Sequence, residues 1–216
     1  MEATSFTVDA KTYQRLRIAL IAMIAITAWT NIQHILVETI YNNVFGILLE
    51  KLIRSSIFSG TLRLMTLAAE CVFFYELYKQ FRAKNSRLQY LCAWMIGATV
   101  LIFLFNVTNS AMPPISQMSI ALTNGIYAVK SIPLFVFSAI LAWKYSGYLQ
   151  GAGILAIAAF ILPNILPLTW FISNNATATT QTFFMLHHLA IITSHIGYYI
   201  CYFLAFKPSS ALRAKE

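Results

Sequence analysis

The chain has 216 residues, of which 59% are hydrophobic and only 10% charged, and it carries a formal net charge of +8. A soluble domain is about a quarter charged, and its core cannot absorb this much apolar length. Nucleic-acid binding is therefore excluded as the reason for the positive charge, since no soluble domain is left to carry it.

Six apolar runs are predicted as membrane-spanning helices at residues 17–38, 57–80, 88–106, 119–143, 148–172 and 181–206. Each is near or above the roughly 20 residues that a helical crossing needs. They are about twice the length of barrel strands and apolar on nearly all sides, so helix is favoured over barrel. The predicted fold is an all-α integral membrane protein, one bundle of six transmembrane helices over residues 1–216.

The polar start, residues 1–14, precedes a first span too long for the apolar core of a signal peptide, so that span is predicted to be retained. Span one carries Thr27, Asn31, His34 and Glu38 at helical spacing, as one polar stripe. Between spans one and two, residues 36–56 alternate apolar and charged groups, which predicts a short amphipathic helix on the membrane surface or an extension of span two. Span two holds Arg63, Glu70 and Glu76, with Arg63 and Glu70 on one face. Met112-Pro113-Pro114 breaks the connection between spans three and four.

Span four holds Asn124, Tyr127 and Lys130. In span five, Pro163 and Pro167 flank Asn164 and predict a bend. Span six carries Gln181, His188, His195, Tyr199 and Tyr202 along one face, with His187 beside them. Cys71, Cys92 and Cys201 all lie within spans and are expected as small packing residues. Asn106 and Asn175 each begin a glycosylation triplet, a short motif with a high chance rate.

Basic residues set the expected orientation. The N-terminus, the second and fourth connections and the C-terminal tail hold eleven Lys and Arg, against two on the opposite side. Both termini are therefore predicted to be cytoplasmic, in a plasma or inner membrane, with the 79–87 segment facing anionic lipid.

Ionisable groups inside spans are the strongest functional signal, because each costs at least a few kcal/mol when unpaired in hydrocarbon. At about 1.5 Å of rise per residue, they sort into an outer layer of His34, Glu38, Arg63 and His188 and a deeper layer of Glu70, Lys130 and His195. Convergence of the deeper layer predicts a ligand-binding or proton-relay centre, while the bland alternative is an ion pair that only joins helices. Haem between His34 and His188 is a further alternative, although no second histidine pair exists to match His188 and His195.

Absences narrow the chemistry. Asp9 is the one aspartate, which removes aspartate-rich metal–diphosphate catalysis. No phosphate loop, G-x-S-x-G or H-E-x-x-H motif is present. The expected function is a transport or sensing component that binds a small or lipid-like molecule, with membrane lipid as its surroundings and possible protein partners within the bilayer. The alternatives are an intramembrane enzyme acting on a lipid or isoprenoid, and a structural subunit of a larger membrane complex.

Overall fold

A computed structural model describes residues 6–40, 56–109, 117–173 and 180–208. Apart from two three-residue strands the described chain is helical: β1 (Phe6–Val8), α1 (Ala10–Ile40), α2 (Ser56–Ala83), α3 (Leu88–Asn109), α4 (Gln117–Lys144), α5 (Tyr148–Ser173), α6 (Thr180–Ala205) and β2 (Phe206–Pro208). These six helices coincide with the six predicted runs to within a few residues, except at the start of α1. Four of them, α1, α3, α4 and α6, are long and apolar enough to cross a membrane by length and composition. That is the makeup of a multi-pass membrane protein. Of the 36–56 connection, residues 36–40 belong to α1 and Ser56 begins α2; residues 41–55, Met112-Pro113-Pro114 and Asn175 lie outside the described residues.

The early start of α1 has a local cause. The Asp9 carboxylate accepts hydrogen bonds from the Thr12 backbone N–H at 2.8 Å and the Thr12 hydroxyl at 2.9 Å, which caps the helix. Those two bonds, the backbone one foremost, hold the Asp9 carboxyl below its ordinary value of 3.8. The first turns bury Thr12 and Leu16, so this segment packs although its other face is polar.

The turn from α2 to α3 is equally explicit. Asn85 takes a positive φ of 49°. The Ser86 N–H donates to the Phe81 carbonyl at 2.9 Å and the Asn85 N–H to Arg82 at 3.0 Å. This is a Schellman closure, with asparagine serving in the left-handed position. Gly147, at φ 65°, turns α4 into α5.

Each helix packs against its neighbour in the chain, and α6 closes back on α1. The closure is sealed by β1 and β2, which pair in parallel with Phe6 opposite Phe206 and Val8 opposite Pro208. The two ends of the described chain thus meet at one end of the bundle. Phe6 stacks on Phe206 at 5.4 Å and meets Phe81 edge-on at 5.3 Å, while Phe81 meets Phe137 and Tyr145. The helices α4 and α5 approach each other closely at Gly153. A Cβ built on Gly153 would lie 2.5 Å from the Ser138 carbonyl oxygen and 2.6 Å from the Ala142 nitrogen. Only glycine admits that approach.

Candidate functional site

Three helices line a cavity that sets charged and hydroxyl groups among apolar ones. On α2, Arg63, Thr66, Leu67 and Glu70 recur at three- and four-residue spacing, and Phe73, Phe74, Leu77 and Phe81 continue the face. On α3 the stripe is Cys92, Met95, Thr99, Ile102, Phe103 and Asn106. On α4 it is Tyr127, Lys130, Leu134, Phe137 and Leu141. Each stripe changes character near mid-helix, from buried aromatic and aliphatic groups toward the strands to polar groups away from them.

The polar halves enclose a cavity of about 230 Å³. Its floor is an ion pair. Lys130 Nζ lies 2.5 Å from Glu70 Oε2, and the Thr99 hydroxyl donates to the same oxygen at 3.0 Å. Glu70 stands 14 residues into α2, about 21 Å from its start. The pair therefore lies near the middle of both α2 and α4. Beneath it, Phe73, Phe74, Leu77, Phe81 and Phe137 are at most 3% exposed, so the cavity is closed on that side.

At the other end the cavity is open. Arg63 and Tyr127 are exposed there. The Arg63 guanidinium donates to the Asn106 carbonyl at 3.3 Å, and the Tyr127 hydroxyl donates to Asn106 Oδ1 at 3.2 Å. Among the described residues the charged members of the lining are Arg63, Lys130 and Glu70.

The predicted site residues divide accordingly. Arg63, Glu70 and Lys130 share the cavity. His195 does not line it. Its Nδ1 sits 2.9 Å from the Ile191 carbonyl of its own helix, and its ring packs near Tyr198 at 6.0 Å. The α6 groups within electrostatic reach of Glu70 are the buried Tyr198 and Tyr199, and Tyr199 also faces Thr27 of α1. Helical side chains lean toward the N-terminus. A long phenol therefore delivers its hydroxyl about a turn above its own Cα, toward the level of Glu70, whereas the short imidazole folds onto the preceding turn.

His188 is half-buried on α6 and is not part of the cavity lining. The side chains of His34 and Glu38 lie outside the described ones, as do those of Asn124, Pro163, Asn164, Pro167, Gln181 and His187. The haem alternative between His34 and His188 involves His34 and so lies outside the described side chains. Among the described residues, no three His, Cys, Asp or Glu side chains gather as a metal-binding group.

Thr99 and Asn106 also line the cavity, although the sequence reading does not single them out for the site. Thr99 and Asn106 are seven residues apart on α3, so helical spacing could have marked them, but neither carries charge. Glu76 is 1% exposed. It lies 2.8 Å from Lys79 Nζ and 3.5 Å from Arg15 Nη1, an interlock of α1 and α2 at the level of the aromatic layer. Comparison with known protein families, curated proteins and solved structures finds no match to this chain.

Proposed function

We propose that all six helices cross the bilayer, that the end holding β1 and β2 is cytoplasmic, and that the α2–α3–α4 cavity binds a small molecule in a transport or sensing component. The helices α2 and α5, of 28 and 26 residues, would reach about 40 Å, more than the roughly 30 Å hydrocarbon core. Lys11, Arg15, Lys79, Arg82, Lys84, Arg87, Lys144 and Lys207 all stand at the end with the strands, which agrees with the positive-inside rule.

The observation that carries the binding reading is the cavity's form. It sets an ion pair and polar groups among apolar ones, is exposed at the level of Arg63 and Tyr127, and terminates halfway along the helices on a buried aromatic layer. A pore would continue, and an ion pair serving only to join helices would need no vacant space beside it. The charged and hydroxyl groups of the described lining, beside Leu67, Ile102 and Phe103, suit a small ligand with both polar and apolar parts.

The test is side-specific labelling. In a chain with Cys71, Cys92 and Cys201 replaced by alanine, Thr66→Cys should react with a membrane-impermeant thiol reagent from the outer side. Ala83→Cys should react only after permeabilisation. A panel of small carboxylates, amino acids and phosphate esters should contain a compound that slows Thr66→Cys labelling and leaves Ala83→Cys unaffected. Reaction of Thr66→Cys from the cytoplasmic side would refute the orientation, and its failure to react from either side would refute the open cavity.

A further inference from the structure

The helix α4 carries a proline in its interior, Pro133. Proline has no N–H, so the carbonyl four residues earlier, that of Val129, loses its regular helical donor, and the ring crowds that carbonyl aside. A neighbouring helix supplies the replacement. The indole N–H of Trp94, on α3, donates to the Val129 carbonyl at 2.9 Å. In the same stretch the Ser131 hydroxyl donates to the Tyr127 carbonyl at 2.9 Å, a back-bond of the kind that bends helices. Lys130 lies between these two features.

The halves of α4 on either side of Pro133 are packed differently. Toward the strands, Phe137, Ser138 and Leu141 are at most 1% exposed, and Gly153 of α5 lies against the Ser138 and Ala142 backbone. Away from the strands, none of the side chains from Gly125 to Val136 is buried, and Ile132 is 62% exposed. That outer half is tied to α2 and α3 by polar contacts: Lys130 to Glu70, Tyr127 to Asn106, and the Val129 carbonyl to Trp94. It also carries Tyr127 and Lys130, the described α4 members of the cavity lining. The Trp94 side chain is itself largely outside the packing, with the residue 56% exposed. Both α3 and α4 are long and apolar enough to cross a membrane, and in hydrocarbon no water replaces a lost donor.

We infer that Trp94 is a positioning residue for the cavity. By taking the carbonyl that Pro133 frees, it fixes the turn that carries Lys130 and Tyr127, and without its N–H the outer half of α4 swings about Pro133 while the inner half stays clamped against α5. The inference concerns the cavity wall and needs no ligand, so it stands or falls separately from the binding reading.

The experiment measures distances by electron spin resonance in the full chain with Cys71, Cys92 and Cys201 replaced by alanine. One spin label is placed at Ile18→Cys on α1, and a second at either Gly125→Cys or Trp143→Cys, on the two halves of α4. Ile18 and Trp143 are 62% and 91% exposed, and a Cβ at Gly125 meets nothing within 4 Å. Trp94→Phe keeps an aromatic ring and removes the N–H. It should broaden the distance distribution to Gly125 and leave that to Trp143 unchanged. A swing of about 20° on a lever of about 12 Å moves Gly125 by about 4 Å. Pro133→Ala returns a donor to Val129 within α4, so adding it to Trp94→Phe should restore the narrow distribution. The double variant should also melt with Pro133→Ala alone, whereas Trp94→Phe should melt below wild type. If Trp94→Phe does not fold, the double variant should fold and match Pro133→Ala. An unchanged Gly125 distribution in Trp94→Phe, equal broadening at both label positions, or no recovery in the double variant would overturn the positioning role.

Discussion

Removing one member of the Glu70–Lys130 pair separates a paired centre from two independent residues. Breaking a buried ion pair costs about 3–5 kcal/mol, because the partner left behind is desolvated and uncompensated. Here the ammonium is 22% exposed and the carboxylate 14%, beside a cavity that can admit water, so the lower part of that range applies. The two single changes should differ. Lys130→Met leaves Glu70 with only the neutral Thr99 hydroxyl as donor, for a loss of about 3 kcal/mol. Glu70→Gln keeps an oxygen that can accept from both Lys130 and Thr99, for a loss of about 2 kcal/mol. Independent effects would sum to about 5 kcal/mol, whereas the double variant should lose only about 3, a coupling of about 2 kcal/mol. For a chain of this size Lys130→Met should lower the melting midpoint by about 6–10 °C. Denaturant and thermal unfolding of the four proteins in one detergent measure the cycle. Additivity within about 0.5 kcal/mol, or wild-type stability in both single variants, would show that the side chains do not depend on each other.

Further outcomes test other parts of the molecule. Gly153→Ala should cost about 2–3 kcal/mol, because its methyl group meets α4 backbone that cannot yield, whereas Gly97→Ala, with open space around it, should be neutral or stabilising. Equal melting of those two variants would contradict the α4–α5 contact. Phe6→Ala should cost about 3 kcal/mol and expose the start of the chain to protease, since its ring is 1% exposed between Phe81 and Phe206. Asp9 has a folded value below 3.8, so its contribution is complete above that pH and is lost as pH falls through the folded value. An Asp9→Ala variant should therefore show a smaller loss of stability than wild type on acidification below pH 3.8, and parallel curves would remove the cap from the explanation.

The long apolar runs made the helices legible, and Leu88 and Tyr148 begin theirs where the sequence pattern predicts. The first seven residues of α1 were not legible as part of a span, because they are polar on one face and become helical through Asp9 and packing. The strands β1 and β2 are three residues each, too short to show alternation, and their pairing joins residues about 200 positions apart. In the site, Glu70 and Lys130 were visible as isolated charges in apolar surroundings. Thr99 and Asn106 were not, since uncharged polar groups are common in such helices. That Tyr198 and Tyr199, and not His195, come within electrostatic reach of Glu70 reflects side-chain length and lean, which residue spacing does not encode. The burial of Glu76 likewise depends on how closely α1 approaches α2.

The pairing of residue 6 with residue 206 also constrains biosynthesis. A nascent chain can insert its early hairpins as they leave the translocon, but the first of them must wait for a partner that the ribosome makes some 200 codons later. Until then the ring of Phe6 has no Phe206 to stack on, and the side of α1 that will receive α6 faces lipid or a chaperone. Final assembly is in this sense post-translational, and a chain truncated before α6 should be recognised by membrane quality control as unfinished even though most of its spans are already in place.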